Sequence, residues 1–70
     1  MEELKEYTAL QILDNEIMEL WDKIDKLNKF TSTDLFKNLS YVKQELLTAQ
    51  LKSMESYFTI AKLRRGIWFD

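Results

Sequence analysis

The stretch LQILDNEIMELWDKIDKLNKFTSTD, residues 10–34, decides the fold. Leu10, Leu13, Ile17, Leu20, Ile24 and Leu27 follow one another at spacings of 3, 4, 3, 4 and 3, the repeat that lines one stripe of an α-helix with apolar side chains. At roughly 100° per residue, Tyr7, Met18 and Trp21 fall on a second apolar wing beside that stripe. A single neighbouring helix cannot cover both surfaces. The pattern breaks at Phe30, after which Thr31, Ser32, Thr33 and Asp34 place turn formers and N-cap residues in a row.

Beyond the break, Asp34 to Leu39 reads as one short turn of helix, with Phe36 and Leu39 facing inward to close a hairpin. Ser40 is the N-cap of a second long helix, because its hydroxyl can accept from a free N–H of the first turn. Leu47, Leu51, Met54, Phe58 and Ala61 repeat at 4, 3, 4 and 3, a seam that matches the first. Leu46, Tyr57 and Ile60 form its second wing. Gly66 is placed to end this helix as the residue after the C-cap, with Lys62, Arg64 and Arg65 complementing the negative end of the helix dipole. The predicted fold is therefore all-α, an antiparallel two-helix hairpin in a single domain, residues 1–70. The helices run over about 3–29 and 41–65, joined by a hinge at 30–40 and followed by an apolar tail at 67–69.

Composition agrees. No Pro and one Gly leave almost nothing to interrupt the chain. Seventy residues rarely build a self-sufficient core, and nine aromatic residues are more than two helices can hide between themselves. Two or more hairpins are expected to pack into an oligomeric helical bundle. The net charge of −2 hides an asymmetry: residues 1–25 carry two lysines against eight acids, and residues 26–70 carry eight basic groups against four acids. Such a division suits complementary faces between chains, or an anion site on the basic part.

Enzymatic chemistry finds few residues to work with. The chain has no Cys and no His, so there is no disulfide framework, no thiolate nucleophile and none of the usual transition-metal sites. Ser32, Ser40 and Ser53 have no general base in view. Glu16, Glu19, Asp22 and Asp25 read as a solvated helix face with lysine partners, such as Glu19 with Lys23 four residues on. No catalytic residue, metal or cofactor is expected. No apolar run approaches the roughly 18–20 residues of a membrane span, and no signal-peptide core follows Met1, so no membrane partner is expected.

The cations bear two readings. Lys23 lies nearest the apolar seam, with Lys26 and Lys29 further out. They are either a solubilising flank that lays its methylenes on apolar surface, or phosphate contacts at a junction between subunits. The run Lys62-Leu63-Arg64-Arg65 complements a helix end or binds an anion. Nucleotides need π-faces for their bases as well as cations for their phosphates, and Tyr7, Tyr57, Trp68 and Phe69 are the faces at hand.

The order Leu20-x-x-Lys23-Ile24-x-x-Leu27-x-x-Phe30, Phe36-x-x-Leu39, then Leu47-x-x-Gln50-x-x-x-Met54-x-x-Tyr57-x-x-Ile60-x-x-x-Arg64 resembles a family of very small phage proteins. These are anti-CBASS sponges, which bind the cyclic oligonucleotide messengers of a bacterial defence system and withhold them from the effector. The likeness covers residues 7–67. It implies a helical hairpin assembled into a hexamer, with separate pockets for cyclic dinucleotides and cyclic trinucleotides at subunit junctions, working in the cytoplasm of the infected bacterium. It implies a base-stacking role for Tyr7, and a dinucleotide phosphate contact for Lys23 or, one turn on, Lys26. For the trinucleotide pocket it implies Arg64 with a small polar side chain late in the first helix, Asn28 or Thr31. Where the family shows an Arg-Val pair after its N-terminal Tyr, this chain has Gln11-Ile12.

Two other functions compete. One is a structural or adaptor bundle that docks a protein through Trp21 and Trp68. The other is electrostatic binding of structured RNA, which the acidic first helix disfavours because most of its surface repels a phosphate backbone; no long nucleic acid is expected as a partner.

Overall fold

The structure, a computed structural model, describes the backbone of residues 2–69 and the side chains of residues 8–67. It is an antiparallel helical hairpin with no strand among the described residues: α1 (Glu2–Phe30), α2 (Asp34–Lys37) and α3 (Tyr41–Phe69). The two 29-residue helices lie along each other, and the chain measures 54 × 15 × 15 Å, a rod only two helices thick.

Local chemistry explains the ends. After α1, the Thr33 hydroxyl donates to the Phe30 carbonyl at 2.6 Å and accepts from the Phe36 N–H at 3.2 Å, so one side chain closes α1 and caps α2. Phe30 and Phe36 then meet edge to face with centroids 6.0 Å apart, a favourable quadrupole geometry. The Ser40 hydroxyl accepts from the Lys43 N–H at 3.3 Å, the expected cap of α3. Gln44 adds a clamp that the sequence does not announce: its Nε2 donates to the carbonyls of Lys37 at 3.1 Å and Leu39 at 2.9 Å. Ser40→Ala is expected to cost about 1 kcal/mol, measured by chemical denaturation.

Both predicted seams face each other. Leu13, Ile24, Leu51 and Ala61 are buried, and Leu10, Ile17, Leu20, Leu27, Leu47, Met54 and Phe58 are half-buried around them. Ala61 is fully buried at 0% exposure. The wings stay in solvent: Met18, Trp21, Leu46, Tyr57 and Ile60 are exposed, with Ile12, Leu35, Tyr41, Val42, Leu63 and Ile67. A compact monomer of this mass exposes about 4,600 Å², whereas this chain exposes 5870 Å². The excess exceeds the roughly 800 Å² that one partner contributes to an ordinary interface.

One boundary differs from expectation. α3 does not stop at 65 before a tail at 67–69 but continues through Gly66 to Phe69, and no described Gly has a positive φ. Glycine in a helix costs about 1 kcal/mol relative to alanine, too little to end one whose adjoining turn is anchored. Arg65 supplies that anchor, its Nε donating to Asp14 Oδ1 on α1 at 2.5 Å. Arg64 and Arg65 consequently precede the last turn, which holds no basic residue, and they reach across to α1 instead of capping a helix end.

Candidate functional site

The antiparallel register sets acidic residues of α1 opposite the basic end of α3. On one flank of the seam, the Tyr57 hydroxyl donates to a carboxylate oxygen of Glu16, 41 residues away in sequence. Arg64 Nη2 lies 3.4 Å from that same hydroxyl and 3.8 Å from the other Glu16 oxygen. Tyr57 and Arg64 are seven residues apart on α3, two turns of one face, so both reach the same point on α1. All three side chains remain partly in solvent.

The opposite flank carries a groove of about 510 Å³ lined by Trp21, Ile24, Asp25, Asn28, Glu55, Phe58, Thr59 and Lys62. Trp21 and Phe58 stack at a tilt of 34° with centroids 5.6 Å apart, and the Lys62 ammonium sits 5.0 Å over the Phe58 ring, where the ring quadrupole attracts a cation. A second groove of about 490 Å³ adjoins it toward the Arg65–Asp14 pair, lined by Asp14, Ile17, Met18, Lys62, Arg65 and Gly66. Each groove combines apolar walls with charged rims, Lys62 beside Asp25 and Glu55 in the first and Lys62 with Arg65 beside Asp14 in the second.

The residues singled out from sequence are distributed unevenly over this frame. Tyr7's side chain lies outside the described residues, as do those of Trp68 and Phe69. Lys23 is exposed and makes no ion pair among the described residues; the partner expected for it, Glu19, does not reach it. The i, i+4 pairs that form are Asp22 with Lys26 at 2.9 Å and Asp25 with Lys29 at 2.9 Å. The hydrogen bond accepted by Asp22, with its charge, holds the Lys26 ammonium above the usual lysine pKa. Lys26 must leave a carboxylate before it meets a phosphate, and Lys23 need not. Lys23 also shares the flank of Glu16, two turns or about 10 Å along α1.

Asn28 and Arg64 are not neighbours within one chain. Asn28 lines the Trp21 groove, whereas Arg64 meets Glu16, twelve residues or about 18 Å away along α1 and on the other flank. The Thr31 hydroxyl is engaged, donating to the Asn28 carbonyl at 2.6 Å. A pocket that uses Arg64 with Asn28 or Thr31 must therefore draw them from different copies of the chain.

Sequence reasoning missed two partnerships. The sequence places Glu16 on a solvated face, and it reads Lys62 as a helix-end charge or an anion contact, with no ring beneath it. The seven-residue interval from Tyr57 to Arg64 was the available signal for the first, and the four-residue interval from Phe58 to Lys62 for the second. Among the described residues no cluster of carboxylates could hold a metal ion, and no helix is long and apolar enough to cross a membrane.

No curated protein and no solved structure matches the chain. A family model described as Sequestin matches residues 7–64, which takes in both seams, the hinge, Lys23, Tyr57 and Arg64. With the hairpin and its paired heptad seams in place over that same span, the chain belongs to the Sequestin family.

Proposed function

We propose that this protein is a phage anti-defence sponge that binds cyclic di- and trinucleotide messengers of CBASS and holds them without cleavage. The observation that carries the reading is the family match over residues 7–64, since the family's name denotes sequestration, a binding role and not a catalytic one. The resemblance set out above supplies the ligand class. Three features of the hairpin support it. Lys23 is a cation with no described carboxylate partner. The Trp21 groove offers a π-face beside Lys62 and Asn28. The surface left uncovered exceeds one ordinary interface, as junction pockets between several hairpins, a hexamer in this reading, require.

In this account the base of a cyclic dinucleotide stacks on Tyr7 and its phosphate meets Lys23, with Lys26 held in reserve by Asp22. The cyclic trinucleotide is held by Arg64 of one copy with Asn28 or Thr31 of another. A rod two helices thick encloses no ligand alone, and assembly supplies the missing walls. The action is mass action: sites must outnumber messenger, with affinity well below its working concentration. The place of action is the cytoplasm of the infected host.

Calorimetric titration with a panel of cyclic di- and trinucleotides, with linear dinucleotides as controls, tests this. Nanomolar binding of cyclic members and none of linear ones is the expected result. An assembled sample that gives no heat with any member refutes the sponge, and leaves an oligomeric adaptor that docks a protein through its exposed apolar wings.

A further inference from the structure

We infer that Glu16 is a built-in competitor for the ligand phosphate at Arg64, a positioning residue that sets the affinity of the Arg64 site. The inference rests on the proposed function and concerns the regulation of that same site.

The geometry is that of an occupied anion site. Before any ligand arrives, Arg64 Nη2 faces a Glu16 carboxylate oxygen at 3.8 Å and the Tyr57 hydroxyl at 3.4 Å, while that hydroxyl donates to the other carboxylate oxygen. Two donors, one guanidinium and one phenol, thus converge on one carboxylate, the same donor set that would grip a phosphodiester. Glu16 stands in for the phosphate. The Arg64 contact at 3.8 Å is longer than a charge-assisted hydrogen bond of about 2.7–2.9 Å, and the side chains are 43% and 41% exposed. Such a pair is weak and readily exchanged. A phosphate can therefore displace it.

The other cations near this end of the hairpin are arranged differently. Arg65 is committed to Asp14 at 2.5 Å, and Lys62 sits over the Phe58 ring. Lys23, two turns from Glu16, has no described carboxylate partner to displace. The two ligand classes should therefore meet different barriers: the Lys23 site is open, and the Arg64 site is guarded by its own carboxylate. Glu16 would thereby bias the protein toward the dinucleotide class.

The test is Glu16→Gln. The amide oxygen can still accept from Tyr57, so the phenol stays held while the competing charge is removed. Titration of the full-length protein with a cyclic trinucleotide should show binding about two- to fivefold tighter than wild type, the range expected for an exposed pair, and cyclic dinucleotide affinity should change by less than about twofold. Glu19→Gln, the same charge change on an exposed position of α1, should reproduce none of the gain. In an Arg64→Ala background, Glu16→Gln should likewise give no gain, because the coupling runs through that guanidinium. Unchanged or weaker trinucleotide binding by Glu16→Gln overturns the inference and leaves the sponge standing. So does a gain that persists without Arg64 or extends equally to dinucleotides. If neither wild type nor Glu16→Gln binds any cyclic nucleotide, the functional reading fails, and the inference with it.

Discussion

Ile24→Ala is expected to destabilise the protein by about 2–5 kcal/mol, the cost of removing a buried branched side chain and leaving a cavity. Ile24 is 6% exposed and sits toward the hinge end of the seam joining α1 to α3. Four buried apolar residues are a small core among the described residues, so one such loss is a large fraction of the stability available to a chain this size. Leu46→Asp addresses the other surface. Leu46 is 66% exposed in the single hairpin, and a charge there costs an isolated hairpin little. If neighbouring copies cover the wing, the same substitution buries an unpaired carboxylate and drives the assembly to monomers. Denaturation read with light scattering separates the two effects: Ile24→Ala should lower the unfolding midpoint, and Leu46→Asp should lower the mass. An Ile24→Ala protein as stable as wild type would show that the seam register is wrong.

Lys23→Ala and Arg64→Ala should divide the ligands between them. A hydrogen bond to a charged group contributes about 1.5–3 kcal/mol, so each loss is expected to weaken binding by about 10- to 100-fold. Lys23→Ala should do so for cyclic dinucleotides and Arg64→Ala for cyclic trinucleotides, with the mass of the assembly unchanged in both. Lys26→Ala should have a smaller effect, because Asp22 already holds that ammonium at 2.9 Å. Loss of both ligand classes in one variant would merge the two sites. Collapse of either variant to monomers would make that residue structural.

Apolar periodicity makes most of the fold readable in the sequence. The heptad spacing from Leu10 to Leu27 and from Leu47 to Ala61 reports which faces meet, and both seams lie where that spacing puts them. The cap at Ser40 is legible for a local reason, since a short hydroxyl side chain reaches its own backbone, whereas Thr33 is one of four candidates in the run from Thr31 to Asp34. What escaped depends on pairing across the hairpin. Nothing near Gly66 in sequence reveals that Arg65 is tied to Asp14, so a glycine that looked like a stop lies inside a helix. Nor does an i, i+4 list say which pair forms: Glu19 and Lys23 have the right spacing, yet Asp22 with Lys26 and Asp25 with Lys29 are the pairs made. Glu16 acquires its role only when α3 is laid antiparallel and Tyr57 and Arg64 arrive together. Of the candidate site, the cations could be nominated from sequence because their charge is visible there. Their competitors could not, since that needs the register between helices.

The measurement that bears most directly on sequestration is depletion and recovery. A fixed amount of cyclic oligonucleotide is mixed with increasing protein, the free messenger is quantified by mass spectrometry, and the mixture is then heated to unfold the protein. Sequestration predicts that free messenger falls linearly with added protein until the sites account for all of it, and that heating returns the full amount as the intact cyclic molecule. Messenger that stays free at every protein concentration, or that returns as a linear product, would contradict the account.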